Sequence, residues 1–157
     1  MFKRKKVGLA LGSGGARGFA LIGVLRVLIA NKIPIDYIAG TSIGAVIGGS
    51  YAINASMDVL DNLVKTFPYK RMLASFLEIN FKDGLVNGAK FLKLIKDIFG
   101  NTKIEDTKIP FIAVATDKET GDEVLLTKGS IAEAMRASSS IPILFAPFKH
   151  DNKQELL

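Results

Sequence analysis

Residues 40–44 read Gly-Thr-Ser-Ile-Gly, which places Ser42 in the pattern G-x-S-x-G. In a sharp turn between a strand and a helix, a serine at this position is held in a strained backbone conformation that exposes its hydroxyl for attack on an ester carbonyl. The residues two before and two after it must be small, because side chains there would collide across the turn. Gly40 and Gly44 meet this requirement. The pattern predicts a serine nucleophile, and the alternative is an ordinary N-cap serine at a glycine-rich helix start.

A second glycine-rich segment, G-S-G-G-A-R-G over residues 12–18, also follows an apolar run and precedes a predicted helix. Turns of this kind direct backbone N–H groups at whatever lies above the sheet, and the helix dipole adds positive potential there. We expect the amides of Gly14 and Gly15 to form an oxyanion hole, with Gly18 completing the loop. Arg17 either braces the loop, contacts a substrate phosphate, or is an ordinary surface arginine.

The same segment could instead bind a dinucleotide, since a glycine loop after the first strand of an α/β domain is a common cofactor site. The pattern G-x-G-x-x-G fails, however, because Arg17 takes the sixth place counted from Gly12, and Ser13 takes the first place one residue on. Asp36 stands near the beginning of the second predicted strand, whereas a ribose-binding acid belongs at its end. A nucleotide-binding domain is therefore not favoured, and no cofactor is predicted.

The composition removes several classes of site. The 157 residues contain no cysteine, which excludes disulfides, thiolate metal sites and cysteine nucleophiles. A single histidine, His150, excludes mechanisms that need two. No metal site is predicted. Hydrophobic residues make up 48% of the chain, so we expect one folded domain with a buried core.

The chain carries 21 lysines and arginines against 15 acidic residues, a net charge of +6. Such a field favours anionic partners, among them phospholipid headgroups. Four of the cations form the run 3–6, which we interpret as part of a solvated basic tail over residues 1–6, ahead of a domain over 7–157. No run of 18 apolar residues is present. We expect a cytoplasmic protein, with peripheral contact to an anionic membrane as a further option.

Short apolar runs bounded by glycine or proline alternate with longer helical patterns, which predicts an α/β fold with a mainly parallel sheet. The first helical pattern is apolar almost all round, so protein should cover it on every side. Ser130 and Glu133 form a capping box at the start of the last helix. Strands are expected at 7–11, 35–39, 111–116 and 123–127, and helices at 17–31, 43–54, 57–66, 90–99 and 130–137.

Residues 65–82 combine lysine and arginine with phenylalanine, tyrosine and methionine, and the following helix adds Lys90, Lys93 and Lys96. This composition suits an active-site lid or an anionic bilayer surface. The interpretation that we favour is a helical subdomain that packs its apolar face on the core and keeps its lysines in water.

Together the two glycine-rich turns resemble those of the patatin-like phospholipases, notably their small bacterial members. The resemblance continues through Ala-Thr-Asp at 115–117 and Ala-Met-Arg-Ala-Ser at 134–138, and it covers the chain from about Val7. It implies a three-layer α/β/α fold and a lipid acyl hydrolase with a serine–aspartate dyad, in which Ser42 is the nucleophile. The expected substrate is then a phospholipid or another acyl ester, and nucleic acid is not expected as a partner.

The family's aspartate lies in an Asp-Gly-Gly or Asp-Gly-Ala motif, shortly after a segment like Phe-Ala-Pro at 145–147 and a short hairpin, here 148–157. The resemblance therefore places that aspartate beyond Leu157 and implies that this polypeptide is inactive or nearly so. The one Asp-Gly present, at 83–84, comes too early and is interpreted as a loop turn. His150 with Asp151 would lie in the exposed hairpin. The alternative function is a non-catalytic lipid-binding or regulatory module.

Overall fold

Among the described residues, four strands form the central sheet, and strands that follow one another along the chain are neighbours in it. The computed structural model describes residues 4–66, 88–142, 145–150 and 154–157. The first three strands run parallel and the fourth is antiparallel to the third. This confirms the predicted α/β class with a mainly parallel sheet. The strands are β1 (Gly8–Leu11), β2 (Tyr37–Thr41), β3 (Phe111–Thr116) and β4 (Glu123–Leu126).

Helices connect these strands, and most of the predicted helices agree with the structure to within a residue or two. A short hairpin closes the described chain, as the sequence predicted. The helices are α1 (Ala20–Ala30), α2 (Ile43–Asn54), α3 (Asp58–Thr66), α4 (Ala89–Phe99) and α5 (Ile131–Ser138), with 3₁₀ turns at Gly15–Phe19 and Ile104–Asp106, and the hairpin strands are β5 (Phe148–Lys149) and β6 (Glu155–Leu156).

Helix α2 is the central element of the core. Every residue from Ile43 to Ala52 is buried, and the helix packs on β2 and β3. Glycine lets it come close to the sheet: a Cβ atom at Gly48 would stand 2.8 Å from the Cγ2 of Ile38. The N-terminus of this helix is therefore fixed against the C-terminal ends of the strands.

The two faces of the sheet differ in what covers them. Side chains such as Ile38 and Phe111 point to the face that α2 covers and are buried. The opposite face carries Tyr37 and Leu125, which are about half exposed, at 50% and 51%. Of the three layers that the resemblance implies, the described residues thus show the sheet and one helical layer.

The expectation that protein covers the first helix on every side is wrong. In α1 only Ile22 and Leu25 are buried, whereas Val24 is 45% exposed and Val27 is 62% exposed. The helix packs on α2 and on the 3₁₀ turn before it through one narrow stripe, so its outer apolar residues meet water. The α-helix also begins at Ala20 rather than at residue 17, because that 3₁₀ turn precedes it.

The second strand lies two residues later than predicted. The amides of Asp36 and Tyr37 both donate to the Val7 carbonyl, at 2.8 and 3.3 Å, and the ladder with β1 starts only there. As a consequence β2 extends to Thr41 and leads directly into Ser42.

The basic segment is tethered to the domain from Arg4 onward. The Arg4 guanidinium donates to both Asp36 carboxylate oxygens, at 2.7 and 2.8 Å, and Lys6 and the Val7 amide bind the same group. These donors hold the pKa of the Asp36 carboxyl well below its ordinary value. The charges of Arg4 and Lys6 remain about half exposed, so the segment is both solvated and anchored.

Helix α4 fits the interpretation that we favoured for the basic region. It buries Phe91, Ile95 and Phe99, while Lys93 and Lys96 pair with the carboxylates of Asp97 and Glu133. The aromatic and basic run from residue 67 onward lies outside the described residues, as does the Asp-Gly at 83–84. In the described ranges, none of the helices has the length and apolar character that crossing a membrane requires.

The capping box is half realised. The Ser130 hydroxyl accepts the Glu133 amide at 3.4 Å, as predicted for an N-cap. The Glu133 carboxylate instead forms an ion pair with Lys96 at 2.7 Å, which ties α5 to α4.

Candidate active site

Ser42 occupies the junction between β2 and α2 and has φ 55° and ψ −123°. A residue with a side chain rarely adopts this region, and it persists only where the surroundings enforce it. Ser42 is the N-cap of α2 by position, but its side chain makes no capping hydrogen bond. The alternative of an ordinary N-cap serine therefore does not describe this turn.

The Ser42 hydroxyl has no hydrogen-bond partner among the described residues, although the residue is only 7% exposed. Every fully buried side-chain oxygen of the described residues has a hydrogen-bond partner. Because the Ser42 hydroxyl has none, it must keep some solvent-accessible surface. A neutral hydroxyl that is both accessible and unpaired is available to a ligand.

The Ser42 amide is occupied by a residue to which the sequence analysis gave no role. It donates to the Ser138 hydroxyl at 2.9 Å, across 96 positions of sequence. Ser138 is 6% exposed and in turn donates to the Val114 carbonyl of β3. In the sequence, Ser138 ends the Ala-Met-Arg-Ala-Ser segment of the family resemblance and begins a run of three serines, 138–140.

The two glycines of the G-x-S-x-G pattern are required for different reasons. A Cβ atom at Gly40 would stand 2.5 Å from the Gly44 carbonyl oxygen, so the predicted collision across the turn is found there. A Cβ at Gly44 would instead overlap the Leu11 carbonyl at the end of β1. Gly44 is therefore required for a different reason from the one predicted, because its lack of a side chain lets α2 start against the neighbouring strand β1.

The glycine loop docks on the residue that follows Ser42. Gly18 is buried, and a Cβ there would overlap the Ile43 side chain. The 3₁₀ turn that contains Gly18 packs on α2. Both glycine-rich turns thus lie at the same edge of the sheet, as the sequence predicted.

The proposed oxyanion donors are unoccupied. Neither the Gly14 nor the Gly15 amide donates a hydrogen bond to a described residue, and both residues are exposed. Gly15 has φ 52°, a left-handed conformation that glycine adopts without strain. Free backbone N–H groups on a tight turn can bind an anion or a developing oxyanion.

Arg17 closes the turn through its backbone, since its amide donates to the Gly14 carbonyl at 3.0 Å. Its side chain is exposed and makes no hydrogen bond or ion pair within the described ranges. The option that the guanidinium braces the loop is therefore not what the structure shows. Contact with a substrate phosphate and an ordinary surface position both stay open.

The geometry does not favour a dinucleotide site. Asp36 lies at the opposite end of β2 from Ser42 and is held by Arg4. The α-helix after the glycine loop begins only at Ala20, so its N-terminus does not lie at Gly14.

A family model for patatin-like phospholipases matches residues 9–156. The chain belongs to the patatin-like phospholipase family.

Two groups of patatin-like relatives illustrate the match. An uncharacterised NTE-family protein of Mycobacterium tuberculosis is 38% identical over 148 residues, which cover 94% of this chain and 41% of that protein. Neuropathy target esterase of Drosophila sechellia is 32% identical over 138 residues, which cover 86% of this chain and 9% of the esterase. The chain thus spans about two fifths of the length of the mycobacterial protein.

The crystal structure of VipD from Legionella pneumophila has the same fold. It matches with a TM-score of 0.58 and 15% sequence identity, over 98% of this chain and 45% of VipD.

The dyad that the family resemblance implies would require a carboxylate beside Ser42, and Asp117, which follows β3, does not supply it. The Asp117 carboxylate accepts the Glu119 and Thr120 amides at 2.8 and 3.0 Å and the Gln154 side-chain amide at 2.6 Å. These donors, Gln154 first, lower the pKa of Asp117. Asp117 therefore stabilises the turn after β3.

His150 does not supply a base either. It lies in the β5–β6 hairpin, its amide donates to the Gln154 carbonyl at 2.8 Å, and its ring forms no hydrogen bond with Ser42. Asp151 lies outside the described residues. The hairpin brings the chain back to the C-terminal end of β3. There the Leu157 amide donates to the Thr116 carbonyl at 2.8 Å, and the Thr116 amide donates to the Leu157 carbonyl at 2.7 Å.

Proposed function

We propose that this chain carries the nucleophile and the oxyanion loop of a lipid acyl hydrolase, with Ser42 as the nucleophile. The observation that carries the proposal is the strained conformation of Ser42 with its hydroxyl unpaired, at the N-terminus of α2. Gly18, packed under Ile43, brings the glycine loop to the same edge. Membership of the patatin-like phospholipase family supports a lipid ester as substrate.

In the proposed reaction the Ser42 oxygen attacks the ester carbonyl carbon. The carbonyl oxygen becomes an oxyanion, which the amides of Gly14 and Gly15 stabilise. The intermediate then expels the alcohol, which takes up the proton that Ser42 lost. Water attacks the resulting acyl-enzyme and releases the fatty acid, so that Ser42 is restored. Arg17 is exposed on the same loop and would meet the phosphate of a phospholipid headgroup.

The step that limits this polypeptide is removal of the Ser42 proton. No carboxylate or imidazole in the described ranges contacts the hydroxyl, and the sequence has no Asp-Gly-Gly or Asp-Gly-Ala motif in the place that the family resemblance requires. We infer that the 157-residue polypeptide hydrolyses esters very slowly. Clear Ser42-dependent turnover by this polypeptide would contradict that inference.

Leu157 bonds to Thr116, and the chain there runs antiparallel to β3. An aspartate two positions after Leu157 would therefore come close to the edge of the sheet at which Ser42 lies. The test therefore compares the polypeptide extended by Val-Asp-Gly-Gly with a matched extension, Val-Asn-Gly-Gly. We expect the aspartate extension to raise hydrolysis of a short-chain ester, because a carboxylate can accept the serine proton and an amide cannot. Equal rates for the two extensions would count against the serine–aspartate dyad.

A fluorophosphonate probe tests the nucleophile directly. We expect labelling of the aspartate-extended chain at Ser42, located by peptide mass spectrometry, and its loss in Ser42→Ala. Ser56→Ala is the matched control, since the Ser56 hydroxyl donates to the Asp58 carboxylate at 2.6 Å but lies outside the site. Labelling that survives Ser42→Ala would overturn the proposal. A silent Ser42 in the extended chain would instead favour a non-catalytic lipid-binding module.

A further inference from the structure

The hydrogen bond between the Ser42 amide and Ser138 stands at the place where the sheet ladder stops. In the β2–β3 register Ile38 lies opposite Phe111, and the Ile38 amide donates to the Pro110 carbonyl at 2.9 Å. If the ladder continued for four more residues in this register, the Ser42 amide would donate to the Val114 carbonyl. The Ser138 hydroxyl lies between these two groups.

The Ser138 hydroxyl both accepts and donates a hydrogen bond. Its oxygen accepts the Ser42 amide at 2.9 Å, and its proton goes to the Val114 carbonyl at 2.5 Å. One side-chain oxygen thus takes the place of a direct ladder bond. The chain can therefore leave the sheet at Ser42 without leaving a buried amide or carbonyl unpaired.

We propose that Ser138 is a positioning residue for Ser42, an inference that rests on the proposed function. Its hydroxyl anchors the backbone of Ser42 in the conformation with φ 55° and so aims the nucleophile. It also occupies the Ser42 amide, which leaves oxyanion binding to the glycine loop. Ser138 contacts the nucleophile's backbone and not the reacting atoms.

The chain offers a matched control for this proposal in the neighbouring serine. Ser139 is the next residue, at the C-terminal end of the same helix, and it is also buried, at 1% exposure. Its hydroxyl donates to the Met135 carbonyl of its own helix at 2.8 Å. Ser139→Ala therefore removes a buried hydroxyl from the same place without touching Ser42.

The first measurement needs no activity and uses the 157-residue polypeptide. Amide hydrogen exchange followed by NMR reports the protection of the Ser42 amide. In Ser138→Ala we expect this amide to exchange about tenfold faster, because its acceptor is gone, while amides of α2 keep their parental rates. Ser139→Ala should leave the Ser42 amide unchanged. Unchanged exchange in Ser138→Ala would overturn the proposal.

The second measurement is the rate at which a fluorophosphonate labels Ser42 in the aspartate-extended chain. We expect Ser138→Ala to lower the maximal labelling rate about 10²-fold with little change in the probe concentration at half-saturation, since misplaced reacting atoms slow the chemical step. Ser139→Ala should label at the parental rate. A parental rate in Ser138→Ala, or an equal loss in both variants, would overturn the positioning role.

A variant that keeps the shape of the side chain guards against misfolding. Ser138→Cys retains a similar volume, but a thiol is a weak, longer-range hydrogen-bonding group. If Ser138→Ala fails to fold, slow labelling in a folded Ser138→Cys protein supports the proposal, and parental labelling overturns it. If the parent itself is not labelled at Ser42, the proposed function fails and the positioning role fails with it. The exchange measurement then still reports separately whether Ser138 holds the amide.

Discussion

Ser42 has a backbone conformation that typically raises the free energy of a residue with a side chain by about 1–3 kcal/mol. The surroundings that enforce it are specific atoms: the Ser138 hydroxyl on its amide, and Gly18 under the next residue, Ile43. At the scale of residues, the site depends as much on these neighbours as on the serine itself.

Gly18→Ala tests the docking of the glycine loop on Ile43. The added methyl group overlaps the Ile43 side chain, so we expect a loss of stability of about 1–3 kcal/mol, as for overpacking of a core. We also expect slower labelling of Ser42 in the aspartate-extended chain, because Ile43 is the next residue. Urea denaturation measures the first effect and the fluorophosphonate rate the second.

Gly23→Ala is the control for that substitution. A Cβ atom at Gly23 would meet nothing within 4 Å, and the residue lies inside α1. We expect a gain in stability of roughly 0.5–1 kcal/mol from the better helix former. A Gly18→Ala protein as stable as Gly23→Ala would contradict the docking contact.

At the scale of elements, a buried arginine joins two helices to the segment before the hairpin. Arg136 of α5 is 4% exposed and donates to the carbonyls of Gly88 and Ala146, at 3.3 and 2.9 Å, and to the Ser140 hydroxyl. Its guanidinium also lies over the Phe145 ring, 5.2 Å from the centroid. Burial lowers the pKa of Arg136, which is the expected effect of removing a cation from water.

Arg136→Lys should destabilise the protein by about 1–3 kcal/mol. A single ammonium group cannot reach all of the acceptors that the planar guanidinium contacts, so a buried carbonyl would be left unpaired. Arg26→Lys is the matched control. Arg26 is 58% exposed and pairs with Asp61 at 2.6 Å, so the same exchange should cost less than about 0.5 kcal/mol. Urea midpoints compare the two, and equal losses would argue against the role of Arg136 in joining these elements.

The link between the basic segment and β2 gives a prediction on pH. The pKa of Asp36 is lower in the folded chain than in the unfolded one, first because of Arg4. Its stabilising contribution is therefore full above the unfolded pKa of about 3.9 and is lost as the pH falls towards the folded value. We expect Asp36→Asn to be less stable than the parent at pH 7. The difference in the free energy of unfolding between the two should become smaller below a pH of about 4. A gap in urea midpoints that does not depend on pH would contradict the ion pair.

At the scale of the whole molecule, the sheet is covered on one face by α2 and α5, and its other face is apolar and partly exposed. Adjacent residues of β4 show the contrast: Leu126 is 5% exposed and Leu125 is 51% exposed. An apolar surface of this kind marks a place where further protein or another apolar partner can pack.

The same two leucines provide a matched pair for a test of the two faces. We expect Leu126→Ala to lower the free energy of unfolding by about 2–5 kcal/mol through loss of buried contacts and a cavity. Leu125→Ala should change it by less than about 1 kcal/mol, because half of the side chain already meets water. Urea denaturation measures both, and a large loss for Leu125→Ala would show that its face is covered in solution.

Much of the fold could be predicted from local patterns in the sequence. The apolar runs, the glycine-rich turns and the helix caps each depend on neighbours a few residues away, so the alternation of strands and helices, helix α2 and the approach of the two turns agree with the structure. The errors are at element starts, where competing local bonds decide, as for the 3₁₀ turn after Gly15 and the Val7 carbonyl before β2.

The sequence by itself determined the chemistry available at the site: a serine in a glycine-flanked turn, a second glycine-rich turn, a single histidine and no cysteine. Only the tertiary structure decided which groups surround that serine. The Ser138 contact joins positions 96 residues apart, and the exposure of Val27 depends on which stripe of α1 packs on α2 and the 3₁₀ turn. Contacts between distant segments leave no periodic signal in the sequence, because they are set by how the elements pack and not by the spacing of residues along one of them.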